Sequence, residues 1–257
     1  MSLYHIPFFR ILGYQLFQLV LLPHFLWPPR RAWPEEPLGL YLNLEESRQR
    51  RHNIESQLVR AGISRVQRVP AARPEHSESA LAALDVCLES VIVPGEPANT
   101  AVNVSHLKGW RTLLDSDCEW GVVLEDDAIL CEDFGRRLVS AWRGRPRGCE
   151  ILFVNQRKTY EDELWFHCGQ YRLNLTNHGG DGYVLSRRGA QLLFDYVARF
   201  GLHGCMFDAF TSMEGNWFRW SRHPVITTMY VLARALVRED GDLPSERLRL
   251  QLEMSHS

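Results

Sequence analysis

The stretch EWGVVLEDDAIL, residues 119–130, passes within one step from an apolar run into three carboxylates, Glu125, Asp126 and Asp127. Like charges so close repel, so either the chain surfaces into water here or a cation relieves them. Hard carboxylate oxygens suit Mn²⁺ or Mg²⁺, which complete their shells with water and phosphate oxygens. A dication that holds a diphosphate stabilises the charge that grows as the bond to that diphosphate breaks. If strand geometry persists, Glu125 and Asp127 share one face and Asp126 takes the other, unless a loop re-aims them. Rival chemistries lack parts. No G-x-x-x-x-G-K-[ST] run exists to make a P-loop. A phosphatase that forms an aspartyl phosphate needs a hydroxyl close behind its acids, and Ala128, Ile129 and Leu130 supply none.

The elements that position these acids follow from periodicity. LGLYLNL (38–44) and SRVQRV (64–69) read as strands. Between them Ile54, Leu58 and Ala61 recur at helical spacing, and Gly62 provides a stop. SESALAALDVCLESV (77–91) reads as a helix. So does TAVNVSHLKGWRTLL (100–114), with Val104, Leu107, Trp110 and Leu114 on one side. The strand GVVLE precedes a helix expected to be capped by Asp133, then the strand EILFVN. The strand GYVLS leads into a helix with Ser186 as its cap. This alternation predicts an α/β sandwich with a largely parallel sheet flanked by helices. Ligands of such sheets bind beyond the carboxyl ends of the strands, which puts Asn43 and the Glu125–Asp127 cluster on one rim.

The totals narrow the class. A chain of 257 residues, 45% hydrophobic and 23% charged, has room for a substantial core. A net charge of -2 gives no basic footprint for nucleic acid. All but Lys108 and Lys158 of the 29 basic residues are arginine, a bias that suits phosphate forks and that a GC-rich genome also produces. Six cysteines (Cys87, Cys118, Cys131, Cys149, Cys168, Cys205) form no C-x-x-C pair, so free thiols in a reducing compartment are expected. Residues 1–37 stand apart as an N-terminal apolar segment and a Pro-rich linker, leaving 38–257 as the main domain. ILGYQLFQLVLLPHFLW (11–27) is interrupted by Gln15, Gln18, Pro23 and His24 and flanked by Arg10, Arg30 and Arg31. That pattern fits an amphipathic segment on a membrane surface, with a marginal anchor or packing on the core as alternatives. A cytoplasmic protein peripheral to an inner membrane is the expectation.

Four segments together resemble glycosyltransferase family 25, the lipooligosaccharide galactosyltransferases and their collagen-modifying relatives. LYLNLEESRQRRHNI resembles its opening strand, with Arg50 and Arg51 after the Asn-Leu pair. VSHLKGW resembles its Ser-His helix, VVLEDDAIL its Glu-Asp-Asp motif, and GGDGYVLSRRGAQLL its Gly-x-x-Tyr-x-x-Ser-x-x-Gly-Ala stretch. The resemblance implies a GT-A-like fold and inverting transfer of a hexose, galactose foremost, from a UDP-sugar donor to a glycan or glycolipid acceptor. It further implies Mn²⁺ or Mg²⁺ held by Asp127 with Glu125 or Asp126, and Asn43, Arg50 and Arg51 near the nucleotide. One departure stands out: the family's Gly-Glu-Ile-Gly-Cys run before Ser-His is replaced by ANTAVNV, leaving Asn99 or Asn103 to replace the glutamate.

Inversion needs a base for the acceptor hydroxyl. Asp208 in GCMFDAF is the first candidate, and Asp181 in NHGGDGY the second. Their structural alternatives are a helix cap and an Asp-Gly turn. His106 is either a functional residue near the nucleotide or a satisfied core histidine. His178 is either a third metal ligand or a loop residue. Trp217, Phe218 and Trp220 serve the core or stack on sugar rings. Two other readings compete: a nucleotidyltransferase or nucleotide-sugar hydrolase, and a non-catalytic glycan- or membrane-binding relative.

Overall fold

The computed structural model describes residues 36–87, 91–155, 171–173, 179–202, 229–232 and 235–239. The N-terminal segment, Asp208, His178 and the Trp217–Trp220 stretch lie outside the described residues. The strands are β1 (Leu38–Asn43), β2 (Arg65–Pro70), β3 (Trp120–Glu125), β4 (Ala128–Leu130), β5 (Ile151–Phe153), β6 (Tyr171–Leu173), β7 (Gly182–Ser186), β8 (Met229–Leu232) and β9 (Val237–Glu239). The helices are α1 (Arg48–Arg60), α2 (Ser77–Ala82), α3 (Pro97–Asp115), α4 (Phe134–Arg143) and α5 (Arg187–Phe200).

Seven strands form one sheet in the order β2-β1-β3-β7-β5-β8-β6, and β4 pairs with β9 in a separate ribbon. β1, β2, β3, β5 and β8 run one way, whereas β7 and β6 are reversed. The largely parallel sheet expected from the alternation is therefore a mixed sheet with a parallel majority. Both faces are covered, as such strands require. Leu38, Leu40 and Leu42 of β1, with Val123, Tyr183 and Leu185, face Val104, Leu107 and Trp110 of α3 and Leu193 and Val197 of α5. Tyr41, Val122, Leu124 and Val184 point to the other face, where Ile54 and Leu58 of α1 and Leu138 and Trp142 of α4 close over them. Period-two alternation in the strands thus feeds two separate cores, one on each side of the sheet.

Local signals explain the boundaries. Gly62 takes φ +71 just beyond α1, the left-handed conformation that ends a helix. Pro97 opens α3, where its missing N–H costs nothing. Ser186 caps α5, its Oγ accepting from the Gly189 N–H at 2.9 Å. The helix expected over 77–91 closes early: Asp85 turns left-handed and the Val86 N–H returns to the Leu81 carbonyl. Asp133 precedes α4 but makes no side-chain cap, because it is itself left-handed and its carboxylate pairs with Arg136. Cys87, Cys118, Cys131 and Cys149 are thiols rather than disulfides.

Candidate active site

β1 and β3 lie side by side and parallel, with Leu42 opposite Glu125, so Asn43 and Glu125 leave the sheet at the same edge. β7 runs against β3 and pairs Gly182 with Leu124, so its first residues reach that edge from the opposite direction. The Glu125 N–H donates to the Asp181 carbonyl at 3.2 Å, stitching the two strand ends together. The reversal of β7 is thus the reason Asp181 joins the rim.

The three acids part company once β3 ends. Asp126 and Asp127 turn toward α1, whose Arg50 sends one guanidinium nitrogen to Asp126 Oδ1 at 3.0 Å and to Asp127 Oδ2 at 3.3 Å. The Asn43 amide donates to the other Asp126 oxygen at 2.7 Å and to the Ser47 carbonyl at 3.1 Å. Arg68 of β2 fixes Asn43 in turn, donating to its side-chain oxygen at 3.1 Å and to its carbonyl at 3.2 Å. Asn43, Arg50, Asp126 and Asp127 are all buried, in a continuous chain of donors and acceptors. The shared face expected for Glu125 and Asp127 does not form, because the tight turn after Glu125 brings Asp127 beside Asp126.

Glu125 belongs to a second group. Its Oε1 lies 3.6 Å from His106 Nε2, and its side chain keeps 31% of its surface open. His106 is completely buried, and burial lowers its pKa to about 3, an effect that the nearby Asp181 partly opposes. Its Nδ1 meets the Tyr183 hydroxyl at 3.0 Å, and Trp110 Nε1 donates to the same oxygen at 2.8 Å. Gly180 passes so close that a Cβ there would stand 2.7 Å from the imidazole. That close approach is the physical reason for glycine in the GGDG turn. Asp181 is buried, and Asn155 donates to its Oδ1 at 2.9 Å.

Of the residues singled out in the sequence, Asn43, Arg50, His106, Glu125, Asp126, Asp127 and Asp181 converge on this rim. Arg51 instead pairs with Glu55 at 3.2 Å on the outer side of α1. Asn99 bonds to Glu96, and Asn103 donates to the Val91 carbonyl at 3.2 Å, so the amides offered in place of a glutamate brace the start of α3. Arg68, Asn155, Trp110 and Tyr183 had not been singled out for the site. Asn155 carried a readable signal, a polar residue directly after an apolar strand, just as Asn43 does.

Among the described residues no three His, Cys, Asp or Glu side chains are set to grip a metal by themselves. The donor set nevertheless fits a hard dication that takes part of its shell from a ligand. Four carboxylates, Glu125, Asp126, Asp127 and Asp181, stand against the Arg50 guanidinium, while His106 is held neutral. The balance is negative and the donors are oxygens.

Together the sandwich and its polar rim define an α/β protein whose buried polar groups gather at the carboxyl edge of the sheet. Residues 40–211 match glycosyltransferase family 25 (LPS biosynthesis protein). The chain belongs to that family and is a glycosyltransferase. No curated protein matches it. Among solved structures it is similar to mouse xyloside xylosyltransferase 1 in its apo form, at 12% identity and a TM-score of 0.35, over 95% of this chain and 77% of that one. Among the described residues no helix is long and apolar enough to cross a membrane.

Proposed function

We propose that this protein transfers a hexose, galactose foremost, from a UDP-sugar to a hydroxyl of a glycan or glycolipid acceptor, with inversion, in the synthesis of a cell-surface lipopolysaccharide. The observation that carries the reading is the gathering of Asn43, Arg50, Glu125, Asp126 and Asp127 at one rim of a family 25 chain. A cavity of about 440 Å³ opens past the ends of β1 and β2, just beyond Asn43 in the chain, lined by Leu44, Ala71, Arg73, His76 and Lys108 among others. Its size and mixed lining suit a nucleoside. The fold is read as GT-A-like, and 38–257 as one catalytic domain. Work close to the cytoplasmic face of a membrane, with residues 1–37 touching that surface, suits a lipid-linked acceptor.

Asp127, with Glu125 or Asp126 beside it, would hold Mn²⁺ or Mg²⁺, and His178 would be the further ligand. An ion held there would supply positive charge against the negative charge of the diphosphate. The chain's own residues do the rest. Asn43 and Arg50 orient the nucleotide from the β1 side. Asp208 takes the proton of the acceptor hydroxyl, with Asp181, held in place by Asn155, as the second candidate. The acceptor oxygen bonds to the anomeric carbon as the electron pair of the old glycosidic bond passes to the diphosphate oxygen.

Asp127→Ala tests this. With UDP-galactose, Mn²⁺ and a glycan acceptor, UDP release should fall by roughly 100-fold or more. Thermal stabilisation of the wild type by UDP with Mn²⁺ is expected alongside. Pyrophosphate release would favour nucleotidyl transfer instead. Turnover that survives the substitution would remove Asp127 from the mechanism.

A further inference from the structure

Arg50 is the third residue of α1, and α1 carries no acid in its first turn. A cation there opposes the helix dipole, so the position is costly unless something nearby offsets it. The offset is the pair Asp126 and Asp127. One nitrogen of Arg50 reaches both carboxylates at 3.0 and 3.3 Å, and the three side chains retain 7%, 8% and 9% of their surface. Two carboxylates buried side by side cannot both stay ionised cheaply without a cation between them. The guanidinium occupies the space between these two acids, where a divalent ion serving both would have to settle.

We propose that Arg50 is the resident counter-cation of this acidic pair. It holds Asp126 and Asp127 together and in place in the unliganded protein by filling the space between their carboxylates, and a divalent ion on its own gains little by entering. This deepens the reading of the rim as a cation and diphosphate site and rests on it. The arginine fork matches carboxylate and phosphate equally well, so an arriving diphosphate gives the guanidinium somewhere else to go.

The experiment compares melting temperatures of the wild type, Arg50→Met and the double variant Arg50→Met/Asp127→Asn, in EDTA and in millimolar MnCl₂, without nucleotide. In EDTA, Arg50→Met should melt roughly 10 °C below the wild type, because the buried carboxylate pair loses the guanidinium that bridges it. Mn²⁺ alone should restore most of that loss, yet move the wild type by less than about 2 °C. Removing one charge through Asp127→Asn should restore the stability of Arg50→Met in EDTA with no cation present. Strong stabilisation of the wild type by Mn²⁺ alone overturns the proposal, and this comparison stands even if Arg50→Met fails to fold. A loss that neither Mn²⁺ nor Asp127→Asn repairs overturns it too, since Arg50 would then act by packing. None of these samples contains nucleotide. An absence of UDP binding or release would therefore sink the glycosyl-transfer reading separately.

Discussion

The phenol of Tyr183 has one proton and two neighbours, and which neighbour receives that proton sets the state of His106. Trp110 Nε1 can only donate, so its 2.8 Å bond uses a lone pair of the Tyr183 oxygen. The phenol proton then points to His106 Nδ1, 3.0 Å away, and the imidazole hydrogen sits on Nε2, facing Glu125. Burial raises the Tyr183 pKa far above its ordinary value, so this donor stays protonated at any working pH. A chain of side chains thus runs inward from the rim, its imidazole Nε2 facing at 3.6 Å the acid of the cluster that stays most open to solvent. Tyr183→Phe leaves the indole N–H and His106 Nδ1 buried without their shared partner. It should cost roughly 2–4 kcal/mol in urea denaturation. It should also change the imidazole nitrogen shifts in NMR, because the Nε2 tautomer loses its support. A loss below about 0.5 kcal/mol would mean that water or another group satisfies both atoms.

At the scale of elements, the rim depends on how α1 is seated, because α1 carries Arg50. The C-terminal end of α1 meets the start of α4 at Gly135, where a Cβ would stand 2.1 Å from the Ala61 carbonyl oxygen. Backbone on both sides leaves no flexible side chain to give way. Gly135→Ala should therefore push the helices apart and destabilise the fold by roughly 1–3 kcal/mol, read from the chemical-denaturation midpoint. A stability matching the wild type would show that the two helices slide freely. The strands and helices long enough to show a period were legible in the sequence. β1, β2, β3, β7, α4 and α5 stand within about a residue of their expected places, and α1 and α3 within three. Strand direction was not legible. Nothing in GYVLS says that β7 runs backwards, yet that reversal carries Asp181 to Glu125. β4, β6 and β9 have only three residues each and no readable period. For the site, residue types fixed which groups were candidates. The split of the acids into an Arg50 group and a His106 group came from the turn after Glu125, whose geometry no spacing rule specifies.

For the molecule as a whole, its titratable groups set how it responds to acid. Several carboxylates titrate low because a donor stabilises the charged form: Glu45 and Asp117 through hydrogen bonds from Arg68 and Arg65, and Glu55 first through Tyr41. Their contribution is present above the ordinary carboxylate range and fades only as pH falls below it. His106 acts in a higher window. Its pKa is lowered from 6.5 to about 3 in the folded protein, so below about pH 6.5 the unfolded chain binds a proton that the folded one refuses. Stability should therefore begin to fall from about pH 6.5. Urea midpoints across pH 8 to 4 in EDTA would follow this fall. His106→Gln cannot take up that proton, so its midpoint should stay flatter between about pH 6.5 and pH 5, even if lost packing lowers it at every pH. The offset and the slope report separate effects. A His106→Gln protein that loses stability as steeply as the wild type across that window would assign the loss to some other group.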